Sequence, residues 1–299
     1  MPLFSGLAAF PITPADADGR VDVAAVRRLV RRLADAWVDS IGLLGSTGTY
    51  AYLSRAERRR AIEAAVDEAA GRVPVMAGVG ALRTDEAVAL ARDAKAAGAG
   101  AGLLAPVSYT PLTDAEVFAH FETVAGESGL PLCIYNNPGV THFTFSAELE
   151  QRLAAVPGVV AVKNPAPPAG AVAAHLANLR ALVPAGFSLG YSNDANAAEA
   201  MIAGADCWHS VLAGLCPAPV LAIVRAAQAG NAAEAQRLNA MLAPIWALFV
   251  ELSGLRVTYA AANALGLAHA APPRPILPLD AAAEAQVAAA FRALEAVAA

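Results

Sequence analysis

The sequence predicts a (β/α)8 barrel followed by a small C-terminal helical region. Three observations carry that expectation. Eight short apolar runs recur between Leu3 and Leu212, most of them ending in a turn rich in Gly, Ser, Thr, Asn or Pro. A helical stretch follows each run, giving units of about 25 to 30 residues, the spacing a closed parallel barrel needs. From Ala222 onward the strand-like runs stop. Alternation of this kind implies parallel pairing, because each crossover returns the chain to the same edge. A doubly wound sheet competes, but Gly78-x-Gly80 lacks the third glycine of a dinucleotide fingerprint.

The elements follow in order. Leu3 to Phe10 reads as the first strand, and Asp22 caps a helix to about Ala36 with Val23, Val26, Leu29, Val30 and Leu33 at helical spacing. Ile41 to Leu44 is the second strand, ending in Gly45-Ser46-Thr47-Gly48-Thr49. Ser54-x-x-Glu57 reads as a capping box opening a helix that reaches Ala70. Val73 to Ala77 is the third strand, and Thr84 starts a helix that stops at Gly98. Gly102 to Ala105 is the fourth, and a second capping box, Thr113-x-x-Glu116, opens the next helix. Leu132 to Tyr135 is the fifth, followed by a short helix from Ser146 to about Ala155. Val159 to Val162, after the turn Pro157-Gly158, is a sixth strand buried on both faces. Helices over about 171–182 and 197–203 flank the seventh strand, Phe187 to Gly190, and the eighth is Cys207 to Leu212. Helices are then expected from Pro217, over Asn231 to Leu252, over Leu255 to Leu265, and from Asp280 to about Val297 after a proline-rich connector. The expected division is 1-225 for the catalytic barrel and 226-299 for the helical region.

Composition narrows the function classes. The 299 residues carry a net charge of -5, which argues against nucleic acid as a default partner. No run of about 18 uncharged apolar residues predicts a membrane span, and no basic stretch ahead of an apolar one predicts a signal peptide. A cytoplasmic protein is the expectation. Cys133, Cys207 and Cys216 form no CxxC and read as buried, reduced thiols. The five histidines show no HxxxH or HExxH spacing, so no protein-built metal site is expected.

The chemistry should collect at the C-terminal ends of the strands. Those ends supply Ser46 and Thr47, Ser108 and Tyr109, Tyr135 and Asn136, Lys163, Tyr191 to Asp194, and His209 with Ser210. One lysine stands among hydroxyls and amides, and Asp194 is the lone carboxylate. A lysine amine at the mouth of an apolar sheet loses part of its preference for the charged form and becomes a nucleophile toward carbonyls. Taken alone, the stretch favours the alternative, an ammonium reaching solvent on its apolar stem. The glycines of Gly45-Ser46-Thr47-Gly48 suit a nest of N–H groups for a carboxylate, and equally an ordinary βα turn. Tyr135 serves as a proton relay or simply satisfies a backbone carbonyl. Tyr109, His209 and Ser210 complete the candidates for substrate contact. The set does not suit a glycosidase, which needs two acids, or a serine hydrolase built on GxSxG.

Gly45-Ser46-Thr47-Gly48, Tyr135-Asn136-x-Pro138 and Val162-Lys163, in this order and at these separations, resemble the pyruvate-dependent class I aldolases of the dihydrodipicolinate synthase and N-acetylneuraminate lyase family. The resemblance covers essentially the whole chain. It implies a TIM barrel with no cofactor, and a Schiff base between Lys163 and pyruvate or another 2-oxo acid. It also implies Tyr135 and Thr47 as the proton relay, Ser46 with the turn amides, Gly48 included, around the substrate carboxylate, and a homotetramer. Four positions depart from the family pattern. Thr49 and Asn164 stand where Glu is usual, Val140 stands where an arginine grips an acidic aldehyde, and Ser108 stands where a relay tyrosine is lent to a neighbour, with Tyr109 one place later. The expectation is therefore a carbon–carbon lyase or aldolase whose partner aldehyde or sugar acid is not that of lysine biosynthesis. Dehydration of a sugar-derived 2-oxo acid by the same imine, and a non-catalytic protein that binds 2-oxo acids, are the alternatives.

Overall fold

Eight parallel strands pair in chain order and close into a barrel. The computed structural model describes residues 3–298, with side chains through 295. The strands are β1 Gly6–Ala9, β2 Ser40–Leu43, β3 Val75–Gly78, β4 Ala101–Leu104, β5 Leu132–Tyr135, β6 Val159–Pro165, β7 Ser188–Ser192 and β8 Cys207–Ser210. The first helices are α1 Val23–Asp35, α2 Arg55–Ala69, α3 Thr84–Ala96, α4 Asp114–Ser128, a single turn α5 at Pro138–Thr141, and α6 Ala147–Ala154. Then come α7 Val172–Leu182, α8 Asp194–Ile202, α9 Pro217–Gln228, α10 Ala232–Met241, α11 Ala243–Leu252, α12 Gly254–Ala264 and α13 Ala281–Ala298. All eight expected strands are present, though β1 and β8 are shorter than the apolar runs that foretold them, while β6 continues past Val162 through Pro165 and β7 past Gly190 to Ser192, the two pairing with each other over that extension. Residue 225 falls inside α9, so a cut at 225/226 would break a helix.

Local signals explain most boundaries. Asp22 accepts the Ala25 N–H at 2.9 Å, capping α1 as expected. At α4 the box is complete: Thr113 N–H donates to Glu116 Oε2 at 2.7 Å while Thr113 Oγ1 accepts from Glu116 N–H. The box at α2 is only half made. Ser54 accepts the Glu57 N–H at 3.3 Å, but the Glu57 carboxylate is taken by the Val21 N–H at 2.7 Å and by Arg60. A half-buried backbone donor from another element outcompetes the local one. The single helix expected from Asn231 to Leu252 is two helices. Pro244 has no N–H to continue the ladder, so α10 ends and α11 restarts with that proline in its first turn.

The core has two parts. The larger lies between the sheet and the helices and runs without a break into α12 and α13 through Val257, Tyr259, Val287 and Phe291. The smaller fills the barrel, where Phe4, Phe10, Met76 and Tyr135 are accommodated by alanines such as Ala8, Ala101 and Ala161. Two close approaches depend on glycine. The ring of Phe10 occupies the place a side chain at Gly42 would need, and the imidazole of His209 does the same over Gly190. The C-terminal helices are joined to the barrel by polar and aromatic contacts as well. The Trp208 and Trp246 rings lie 6.5 Å apart, Arg32 meets Glu295 at 2.6 Å, and Thr49 Oγ1 lies 3.3 Å from Tyr259 Oη. Among the described residues no single helix is long and apolar enough to cross a membrane, and no three His, Cys, Asp or Glu side chains converge as a metal site. The three cysteines are free and buried, and burial pushes all three thiols up, Cys216 to about 12.

Candidate active site

Strand pairing sets the centre of the site. Register places Tyr135 of β5 beside Lys163 of β6, and Lys163 beside Gly190 of β7. Successive side chains alternate between the two faces of a strand. Tyr135 and Lys163 therefore both point into the barrel, while Asn136 and Asn164 point outward to the helices. Lys163 is 3 % exposed. Its Nζ lies 3.9 Å from the centre of the Phe10 ring and 4.2 Å from that of Tyr135. A cation over two ring faces recovers about 1 to 2 kcal/mol of its lost hydration. Among the described residues no carboxylate forms an ion pair with it.

The hydroxyl of Tyr135 lies 3.0 Å from Ser46 Oγ and accepts from Asn137 Nδ2 at 2.9 Å. Asn137 Nδ2 also approaches Ser46 Oγ at 3.4 Å. Because Asn137 donates to the phenol oxygen, the phenol proton is free to pass along the contact with Ser46. Thr47 is buried in the same turn, but the hydroxyl in contact with Tyr135 is that of Ser46. The turn itself is tight. Leu44 and Thr49 take φ of 58° and 50°, and a β-branched residue in the left-handed region carries strain of about 1 to 3 kcal/mol. The Tyr259 hydroxyl from α12 bonds Thr49 where it does so. At Gly48 a Cβ would come within 3.0 Å of Leu44 Cα and Thr13 Oγ1, so the position admits little beyond glycine.

The other candidates separate. Tyr109 is 97 % exposed and does not line the cavity at the mouth. Its neighbour Ser108 lines the cavity there, about 400 Å³, with Ser46, Thr49, Tyr52, Val140 and Leu255. Neither Lys163 nor Tyr135 lines this cavity, but Ser46 does, and its Oγ is the atom in contact with the Tyr135 hydroxyl. His209 is fully buried under the lysine with neither ring nitrogen partnered, its ring edge-on to Phe10 at 5.7 Å. Burial, then the Lys163 charge, hold it neutral, with a pKa well below the usual imidazole range. Ser210 faces outward: it donates to Asp194 Oδ2 at 3.1 Å and accepts from the Ala213 N–H. Asp194 further accepts from Trp208 Nε1 and from the Val211 and Leu212 N–H groups. Its carboxyl is pushed up by burial, against those donors. That carboxylate anchors the chain after β8. Neither His209 nor Ser210 lines the mouth cavity.

Three residues near the centre escaped sequence reasoning. Phe10 carries a signal, an aromatic at the end of an apolar run. Asn137 lies within the motif already singled out. Glu150 sits on the buried face of α6 with Leu153 and Ala154, an acid at an apolar position of the helical pattern. A fourth, Arg58, is a buried cation close to the turn. Its Nη2 donates to the Gly80 carbonyl at 2.9 Å and its guanidinium lies 4.9 Å over the Tyr50 ring. Burial pulls its pKa down to about 10.

Comparison with known proteins agrees with this geometry. Residues 3–294 match the model of the dihydrodipicolinate synthetase family. A 4-hydroxy-tetrahydrodipicolinate synthase of Methylococcus capsulatus is 38 % identical over 249 residues, 83 % of this chain and 84 % of that one. The crystal structure of a dihydrodipicolinate synthase from Agrobacterium tumefaciens is 58 % identical, covering 97 % of this chain and 98 % of that one, with a TM-score of 0.95. The chloride-inhibited dihydrodipicolinate synthase of Acinetobacter baumannii, solved in complex with pyruvate, is 29 % identical over 97 % of this chain and 98 % of that one, with a TM-score of 0.88. With barrel, strand-end lysine and tyrosine in place along the full length of the match, the chain belongs to the dihydrodipicolinate synthetase family of class I aldolases and lyases.

Proposed function

We propose that this chain makes or breaks a carbon–carbon bond next to a pyruvate-derived enamine held on Lys163. The carrying observation is the setting of the Lys163 amine, buried over two aromatic faces and in register with Tyr135. The neutral amine attacks the ketone carbon of pyruvate, or of a related 2-oxo acid. The carbinolamine hydroxyl leaves as water with a proton delivered by the relay, while Nζ keeps its own proton, so the product is the protonated imine. Loss of a methyl proton gives the enamine, whose carbon adds to an aldehyde. Tyr135 is the group that carries protons to and from these intermediates, through Ser46 and with Thr47 alongside. The turn amides from Gly45 to Gly48 receive the carboxylate of the 2-oxo acid. The homotetramer belongs to the same reading, supported by the family, and sedimentation of the purified chain tests it.

The partner aldehyde is read from the cavity above. Val140 is 57 % exposed on its wall, beside Gly139, Thr141, Leu255 and Ile276. No cationic side chain lines it, and Arg58 is held by Gly80 and Tyr50. A neutral, hydroxylated or apolar aldehyde suits this wall. An aldehyde with its own carboxylate would be desolvated without a cationic partner. The second-substrate wall is where this chain is expected to differ from relatives named for 4-hydroxy-tetrahydrodipicolinate synthesis.

Incubation with pyruvate and borohydride tests the nucleophile. Mass spectrometry is expected to find a reduced adduct on Lys163. Absence of an adduct, or its location on Lys95, would overturn the reading.

A further inference from the structure

Behind the sheet, on the face opposite the amine, lies a carboxylate that the chemistry above does not use. Glu150 of α6 is 3 % exposed. Its Oε2 accepts from Asn164 Nδ2 at 3.2 Å, and its Oε1 lies 3.5 Å from Asn136 Nδ2. Asn136 Nδ2 also donates to Asn164 Oδ1 at 2.8 Å. These asparagines directly follow Tyr135 and Lys163, and the Asn136 N–H bonds the Lys163 carbonyl at 3.1 Å. One carboxylate thus spans the two strand ends that carry the relay and the nucleophile.

We propose that Glu150 is a positioning residue for the reaction, holding the ends of β5 and β6 so that the Tyr135 hydroxyl and the Lys163 amine keep a productive separation. The ionised carboxylate presents two acceptors to two amide donors. Protonation converts one acceptor into a donor, which faces an amide N–H₂ and releases that arm. Burial pushes the Glu150 carboxyl up to about 7, against the pull of the two amides. The groups around it supply no cation. Tyr191 of β7 is coupled to its charge, and the Tyr191 hydroxyl is held 2.8 Å from Nδ1 of His175 on α7. Burial keeps His175 below the usual imidazole range. Arg152 of α6 turns away over the Phe118 ring of α4, 4.5 Å from its centre. The inference rests on the Schiff-base reading of Lys163.

The test compares wild type with Glu150→Gln, which keeps the shape but offers one acceptor in place of two. The rate of pyruvate adduct trapping is measured for both between pH 6 and 8. At pH 8 the variant is expected to be slower by about tenfold, the scale of a small misplacement of reacting groups. Toward pH 6 wild-type Glu150 takes up its proton, so the ratio of the two rates is expected to fall toward unity. Asn164→Ala, which removes the same arm from the strand side, is expected to add little to Glu150→Gln in the double variant. A ratio that stays constant with pH, equal rates at pH 8, or losses that simply add would overturn the inference while leaving the Schiff base standing. A wild type that forms no adduct overturns both.

Discussion

The helical skin and the barrel treat charge in opposite ways. On the skin, cations meet anions across neighbouring helices: Arg27 with Asp67 at 3.1 Å, Arg31 with Glu68 at 2.7 Å and Arg55 with Asp93 at 2.5 Å. Inside the barrel and behind the C-terminal ends of its strands they do not meet. Lys163 faces rings, Glu150 faces amides, and Asp194 faces an indole, a hydroxyl and backbone N–H groups. The chain's two lysines differ in burial instead: Lys163 is buried, whereas Lys95 is exposed and donates to the Gly129 carbonyl at 2.9 Å, just beyond the end of α4. A paired charge on the surface is held in one protonation state and contributes little to stability. A buried carboxylate met only by dipoles has no counter-ion to offset its lost hydration, and burial pushes both the Glu150 and the Asp194 carboxyl up. The difference separates charges that decorate the fold from charges available for chemistry.

Four measurements would break or sharpen this contrast. Lys163→Arg is expected to abolish both the pyruvate adduct and turnover, because a guanidinium stays protonated and cannot attack a carbonyl. Residual adduct formation would show that the buried cation is ornamental. Tyr135→Phe should fold normally and lose roughly 10²- to 10⁴-fold in turnover, the usual scale for a positioned acid-base group. Wild-type turnover would reduce its contacts with Ser46 and Asn137 to packing. Steady-state kinetics with pyruvate and a panel of aldehydes should show a roughly 30- to 150-fold lower kcat/KM for aspartate semialdehyde than for the preferred neutral aldehyde, the loss of a charge-assisted pair worth about 2 to 3 kcal/mol. Efficient use of the acidic aldehyde would mean that a cation reaches the mouth from elsewhere, such as a neighbouring subunit. The smallest effect belongs to the skin. Arg55→Ala should cost about 1 kcal/mol or less in denaturant unfolding and leave kcat unchanged. A larger cost would erase the distinction between the two regions.

How much of this was legible in the sequence depended on how local the cause was. The strands and most helices follow from apolar runs and caps, and the position of Lys163 follows from a β-branched run that stops at Pro165. Tyr135 could be placed at a strand end for the same reason, whereas β6 continues past Lys163 through Pro165, paired to β7. Depth inside the barrel is a different matter. His209 and Ser210 stand side by side in sequence, yet one is swallowed by the space above Gly190 and the other turns outward to Asp194. Period-2 alternation separates their faces but does not report the room opposite. Tyr109 lies outside the mouth because the chain leaves β4 with Ser108, not its neighbour, toward the cavity. Glu150 was hidden because an acid on a helix normally meets water, and its two partners come from strands far away in the chain. The incomplete box at Ser54 and the break at Leu242 are likewise effects of another element and of a single proline.

The ring-over-glycine packing inside the barrel also constrains the order in which this site can change through descent. A side chain cannot arrive at Gly190 while the imidazole of His209 fills its place, nor at Gly42 while the Phe10 ring is there. The large partner has to shrink first, leaving a void that the small partner then fills. The reverse order passes through a steric clash directly beneath the nucleophile. Lineages that keep Phe10 and His209 are therefore bound to keep both glycines, and each pair is inherited as a single character.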